Sequence, residues 1–149
     1  MLTTRPVDDL AMARCLANLR PADRAEVNAA EVDDEDIILA ARESTAIEGV
    51  WDGQTVFVYG VRPVLGVDGL GVPWMLSTNA LAEADRSAVG RLAKRVVADW
   101  RRDFRVLGNL VHAKNSDAIK FIRWLGFHVK HEPAGNGGAF RMFVWSRHV

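Results

Sequence analysis

VLGNLVHAKNSDAIKFIRWLGF, residues Val106 to Phe127, decides the fold of this 149-residue chain. Val106, Leu107, Leu110 and Val111 make a short apolar run of strand length. Asn115 stands where a helix N-cap belongs, and Asp117 falls in the first turn, where a carboxylate complements the helix dipole. Ala118, Phe121, Ile122 and Leu125 recur at the three-and-four spacing of one helical face. Gly126 fits a left-handed C-cap, and Phe127 opens the next strand. The stretch predicts a buried strand, a turn, an amphipathic helix and a strand.

Working outward, His128 to His131 and Phe140 to Trp145 read as strands separated by the Gly135-Asn136-Gly137-Gly138 turn. On the other side, Leu81 to about Arg102 is helical in period. Leu81, Ala82, Val89, Leu92, Ala93, Val96, Val97 and Trp100 share one face, and the arginines and Lys94 lie mostly off it, on a solvated face. Gly90 inside this helix costs about 1 kcal/mol relative to alanine, which suggests close packing against a strand or a ligand. Ala46–Trp51 and Gln54–Val61 read as a hairpin turned by Asp52-Gly53, and Val72–Thr78 follows the glycine-rich turn Gly66–Gly71. Residues 46 to 78 thus form a three-stranded antiparallel meander.

Upstream, Met1–Arg5 reads as a short strand. A helix capped by Asp8 or Asp9 runs through Leu10, Ala13, Leu16 and Leu19 and stops at Pro21. A second helical piece spans Arg24–Ala30. A third starts at Asp33-Asp34-Glu35-Asp36, an acidic run that suits a solvated first turn.

Composition narrows the function classes. Hydrophobic residues make up 49% and charged residues 26%, ordinary for a globular domain, and one domain over 1–149 is expected. With 19 basic and 19 acidic residues there is no electrostatic case for nucleic acid or an anionic membrane. Cys15 is the only cysteine, which leaves no disulfide framework and no thiolate zinc site. His128-x-x-His131 on a strand points its rings to opposite faces, so no metal is expected. No apolar run reaches membrane-span length and Met1-Leu2-Thr3-Thr4 does not read as a signal peptide, so a cytoplasmic protein is expected.

Asn115-x-x-Ala118-x-x-Phe121-x-x-x-Leu125-Gly126-Phe127 resembles the C-terminal signature of the GCN5-related N-acetyltransferases, the GNAT superfamily. The order of elements on either side is that of the GNAT fold, and the resemblance covers nearly the whole chain. It implies an α/β (α+β) protein: a mixed twisted sheet of six to seven strands with helices on both faces. Leu110, Val111, Phe121, Leu125, Val96 and Trp100 are expected in one core. Gly71–Thr78, the long helix and Leu110–Asn115 are similar, more narrowly, to the acetyltransferase-like proteins of tailed phages, a group that includes a small internal virion protein of T7-like phages.

The resemblance implies an acyl-CoA-dependent N-acyltransferase, with acetyl-CoA as donor and an amine as acceptor. The alternative is an inactive GNAT-fold phage protein with a structural or assembly role, virion proteins as partners, and a place in the host cytoplasm or virion. Family members hold acetyl-CoA where the fourth and fifth strands splay, with the pyrophosphate on amides at the next helix N-terminus. The matching cofactor positions here are Met75, Leu76, Ser77 and Thr78 on the fourth strand, Arg86 and Ser87 at the helix start, Asn109 on the fifth strand, and Asn115. His112 at the end of the fifth strand and Glu48 on the second are the candidate bases, with Glu43 behind them.

Two features depart from the family pattern. Thr78–Gly90 reads TNALAEADRSAVG and lacks the glycine-rich phosphate loop, while Gly66-x-x-Gly69-x-Gly71 precedes the fourth strand and reads as a hairpin turn. Ile122 stands where family members often carry a tyrosine acid, and the only tyrosine, Tyr59, lies in the hairpin.

Overall fold

The computed structural model describes residues 1–147. Asn115 accepts a hydrogen bond from the Ala118 amide at 3.3 Å and starts the helix that ends before Gly126, whose φ of 100° is left-handed. In chain order the elements are β1 (Thr3–Pro6), α1 (Asp9–Ala17), α2 (Pro21–Ala29), α3 (Asp34–Arg42), β2 (Thr45–Trp51), β3 (Gln54–Pro63) and β4 (Leu70–Ser77). They continue with α4 (Arg86–Asp103), β5 (Val106–His112), α5 (Ser116–Trp124), β6 (His128–Val129) and β7 (Phe140–Ser146). The strands form one seven-stranded mixed sheet in the order β1-β2-β3-β4-β5-β7-β6. This is the expected α/β fold with helices on both faces.

Asp52 and Gly53 both take positive φ, 51° and 77°, as a two-residue hairpin requires, and join β2 to β3. On one face of the sheet, Met12, Cys15 and Leu16 of α1, Val27 of α2 and Ala41 of α3 pack on Val58, with Ala46, Trp74 and Leu76 around them. On the other face, Val97 of α4 and Leu125 beyond α5 pack with Val61, Leu107, Val111, Phe127, Val129 and Phe143. A third cluster joins Phe57 to Ala84, with Tyr59, Met75, Leu81, Val89 and Leu92 beside it. No described helix is long and apolar enough to cross a membrane.

Several details differ from the sequence reading. The buried face of α1 is Ala11, Met12, Cys15 and Leu16; Leu10 is 65% exposed, because the Asp8 cap sets the start of the helix and its phase. Pro21 begins α2, where its missing N–H costs nothing. The helical run from Leu81 is two pieces: a 3-10 turn at Asn79–Glu83, then α4, which restarts because Asp85 caps it. The strand expected at His128–His131 is only His128–Val129. Leu110 does not join Val111 in the core. Adjacent strand residues point to opposite faces, so Leu110 is 37% exposed on the α2 side of the sheet while Val111 is buried on the other.

Candidate functional site

β4 and β5 run parallel but pair only at Leu70–Val106 and Gly71–Leu107. Beyond that base they part. The outer ladders fix where each backbone group points. Thr78 N donates to Val56 O at 3.0 Å and Val64 N to Leu70 O at 3.2 Å, so every second residue of β4 bonds to β3. Gly71, Pro73, Met75 and Ser77 therefore turn their backbone groups toward β5. Ala113 N donates to Ala139 O at 2.9 Å and Arg147 N to Arg105 O at 3.0 Å, so Gly108, Leu110 and His112 turn theirs toward β4. Pro73 has no N–H to offer across the gap, which helps end the pairing there. Its carbonyl instead accepts from Asn109 Nδ2 at 2.8 Å.

A cleft of about 1410 Å³ follows this splay, lined by residues of β4, β5, α4 and α5 and, on the opposite face of the sheet, of α2 and α3. At its α2 mouth, two carboxylates one helical turn apart reach the two diverging strands. Asp23 accepts from the Ser77 amide, and Glu26 Oε1 accepts from the His112 amide at 2.5 Å. Ser77 O accepts from Arg20 N at 3.0 Å, and the Arg20 guanidinium pairs with Asp23 at 3.1 Å. Met75 is left with an N–H and a C=O directed into the cleft, beyond the last paired residues, and neither takes a side-chain partner among the described residues. Burial pushes the Glu26 carboxyl above the ordinary value; the His112 amide opposes this and the Asp23 charge adds to it.

The helix end that would receive phosphate already has an anion. Asp85 Oδ1 accepts from Ser87 N at 2.9 Å and from Ala88 N at 3.4 Å, satisfying two of the free amides of α4.

Among the candidates named from sequence, Met75, Leu76, Ser77, Arg86, Asn109 and Asn115 line the cleft together. Thr78 and Ser87 do not. Thr78 is buried, its hydroxyl donating to Thr55 O at 2.7 Å and capping the 3-10 turn through Ala80 N, and Ser87 gives its amide to Asp85. Asn115 caps α5. The His112 ring packs on Phe140, centroids 5.5 Å apart, and is not a lining group; it is the His112 backbone amide that serves the site, through Glu26. Glu48 lies away from the cleft. It is 2% exposed and its carboxylate is held by Arg5 and by Thr55 Oγ1 at 2.6 Å, because β1 and β3 flank it in the sheet. Arg62 approaches the exposed Glu43 at 3.9 Å. Asp23 and Glu26 were missed. Their signal was present as an acidic pair at i and i+3 after a helix-starting proline, but only the tertiary crossing of α2 over the splay gives it meaning. No cluster of side chains suited to a metal ion occurs among the described residues.

Solved structures share this architecture. The GNAT domain of S. lividans PAT superposes with a TM-score of 0.71 at 12% identity, over 96% of this chain and 89% of that one. The aminoglycoside acetyltransferase AAC(6')-Ib in complex with coenzyme A gives 0.70 at 16% identity, over 99% and 95%. A ribosomal-protein-alanine N-acetyltransferase from Brucella melitensis gives 0.68 at 17% identity, over 97% and 99%. By sequence, no family model and no curated protein matches the chain. The fold is thus that of the GNAT acetyltransferases.

Proposed function

We propose that this chain, as one GNAT-like domain, is an acyl-CoA-dependent N-acyltransferase with acetyl-CoA as donor and an amine as acceptor. The observation that carries the reading is the open β4 edge at Met75, facing a cleft between strands that separate after two residue pairs. An extended amide-bearing arm of the pantetheine kind suits that edge, since it offers both a donor and an acceptor. With the arm paired to the Met75 carbonyl, the Met75 N–H is left as the donor for charge growing on a thioester oxygen. Arg86 is the cation on the cleft at the end where the phosphates would lie. The solved neighbours that hold coenzyme A or acetyl-CoA support the same donor for this chain.

A second reading follows from Asp85. Its carboxylate takes up two of the α4 amides that a pyrophosphate needs, which favours a GNAT fold without cofactor chemistry; for such a protein the resemblance to phage proteins suggests an assembly or virion role, in the host cytoplasm or the virion. A thermal-shift titration with acetyl-CoA separates the two. Saturable stabilisation, about 2.7 kcal/mol at a hundred times Kd, supports the transferase. No shift, together with no thiol release from acetyl-CoA across a panel of primary amines, selects the structural reading.

A further inference from the structure

We infer that Glu26 is the residue that receives the acceptor amine: its carboxylate binds the substrate ammonium in the cleft and takes its proton. The inference deepens the acyl-transfer reading and rests on it for the chemistry, though not for amine binding.

The argument starts from charge. Asp23 and Glu26 sit one turn apart on α2, yet they are not equivalent. Asp23 has a counter-ion in Arg20, at 3.1 Å, and a backbone donor in Ser77. Glu26 has the His112 amide on Oε1 and no ion-pair partner among the described residues, and nothing described donates to Oε2. A carboxylate set into a cleft with one oxygen unpartnered and no cation beside it leaves a place for a cation supplied by a ligand. Of the charged groups around the cleft, Arg20 is committed to Asp23, and Asp23 and Asp36 add negative charge on the α2 and α3 side. Facing Glu26 from β5 is His112, which offers its backbone amide while its ring packs on Phe140; Asp117 and Lys120 line the cleft from α5.

Position agrees with charge. Glu26 is tied to β5 and Asp23 to β4, so the unpaired oxygen stands at the α2 mouth of the same splay into which Met75 turns its amide. An amine entering past α2 meets Glu26 before it reaches the open β4 edge. Burial also raises the proton affinity of this carboxyl, the direction a base requires.

The step balances as follows. The ammonium gives one proton to the Glu26 carboxylate. The neutral nitrogen attacks the thioester carbonyl carbon; the C–N bond forms and the C–S bond breaks. The second proton leaves the nitrogen through solvent to the departing sulfur, giving an amide and the free thiol of CoA.

The test uses the whole chain, labelled with 15N, titrated with spermidine, tyramine and a lysine-containing peptide. At least one of these amines should shift the His112 amide resonance saturably, and Glu26→Gln, which keeps an acceptor for that amide, should weaken the binding about tenfold or more. With acetyl-CoA and the amine that binds, Glu26→Gln should lose about two to four orders of magnitude in rate and the rise of rate with pH seen in the wild type. His112→Ala, which keeps the backbone amide, should retain that rise. No saturable shift with any of the amines, equal affinity in Glu26→Gln, or an unchanged pH profile in that variant overturns the assignment. Amine binding lost in Glu26→Gln, with no acetyl-CoA binding by the wild type, upholds the ammonium site and rejects acyl transfer.

Discussion

Asn109 Nδ2 donates to the carbonyl of Pro73 at 2.8 Å, so one side-chain amide spans the gap where β4 and β5 begin to part. The same side chain accepts from Leu110 N at 2.7 Å. Asn109→Ala removes both contacts and should cost about 1–3 kcal/mol. Asn109→Asp places an acceptor against the Pro73 carbonyl and should cost more than the alanine. Urea titration orders the three proteins; an aspartate variant as stable as wild type contradicts the assigned amide orientation.

Asp85 offers a case in which stability and ligand affinity move in opposite directions. Asp85→Ala removes the α4 cap and should lower stability by about 0.5–2 kcal/mol. It also frees the Ser87 and Ala88 amides and deletes a negative charge beside them. If the phosphates of acetyl-CoA lie there, the variant binds acetyl-CoA more tightly than wild type while melting earlier. Calorimetric titration reads the affinity, and weaker binding by the variant moves the phosphate site elsewhere.

Two glycines should respond in opposite ways to alanine. A Cβ at Gly49 would stand 2.3 Å from the Phe57 ring, which is 2% exposed and cannot swing away. Gly49→Ala should therefore be destabilising, by about 1–3 kcal/mol as for other overpacked sites. At Gly90 a Cβ would stand 3.2 Å from the rim of Trp124, which stacks on Phe121 under Lys94 but is 52% exposed and has solvent to yield into. Gly90→Ala should gain up to about 1 kcal/mol of helix propensity. Melting temperatures of the pair decide it, and a loss at Gly90 would show that Trp124 is fixed in place.

Glu26→Gln should be at least as stable as wild type at neutral pH. The folded carboxyl titrates above its unfolded value, so the folded state binds the proton more tightly than the unfolded chain. Its contribution to stability is fully present below the unfolded value and is lost as pH rises through the folded one. Wild type and variant should differ least in acid and diverge upward from there. A wild type that gains on the variant as pH rises would reverse the assigned direction of the shift.

Cys15 should resist alkylation. Burial pushes its thiol up to about 12, with the charges of Asp23 and Glu48 adding to the effect, and almost no thiolate exists at pH 8. Iodoacetamide labelling should follow global unfolding in its denaturant dependence, and rapid labelling of the folded protein would place Cys15 outside the core.

Local chemistry made much of this fold readable. Asp52-Gly53 marks the tight turn of a hairpin, and Asn115 and Gly126 mark the two ends of α5, so the β2–β3 pairing and the bounds of that helix could be read from short windows. Leu110 was misread because an apolar run carries no label for which face each residue takes. The break at Ala84 was missed because Asp85 looks like any helical surface residue until its carboxylate is seen on two amides. The cleft itself could be expected only through resemblance, since strand divergence follows from which backbone groups are used on the outer edges. Glu26 was out of reach for a different reason: its meaning comes from the His112 amide, far along the chain, and from its having no ion-pair partner among the described residues.

The sheet order has a consequence for how the protein comes apart. Strands β1 to β4 come from residues 3–77 and strands β5, β7 and β6 from residues 106–146, so each wall of the cleft is a continuous length of polypeptide. Between the walls the ladder is two residue pairs long, and the described side-chain ties across it are Glu26 to the His112 amide, Asn109 to the Pro73 carbonyl, Arg105 to the Asp68 carbonyl and Asn136 to the Ala30 carbonyl. Parting the seam breaks those few bonds and draws Val61 out of the core around Leu107 and Val111, while both ladders on either side stay intact. In hydrogen exchange the amide of His112 would then exchange through a shallow opening, well before Val58 or Val111, and the protein would show two protected blocks divided along its own binding site.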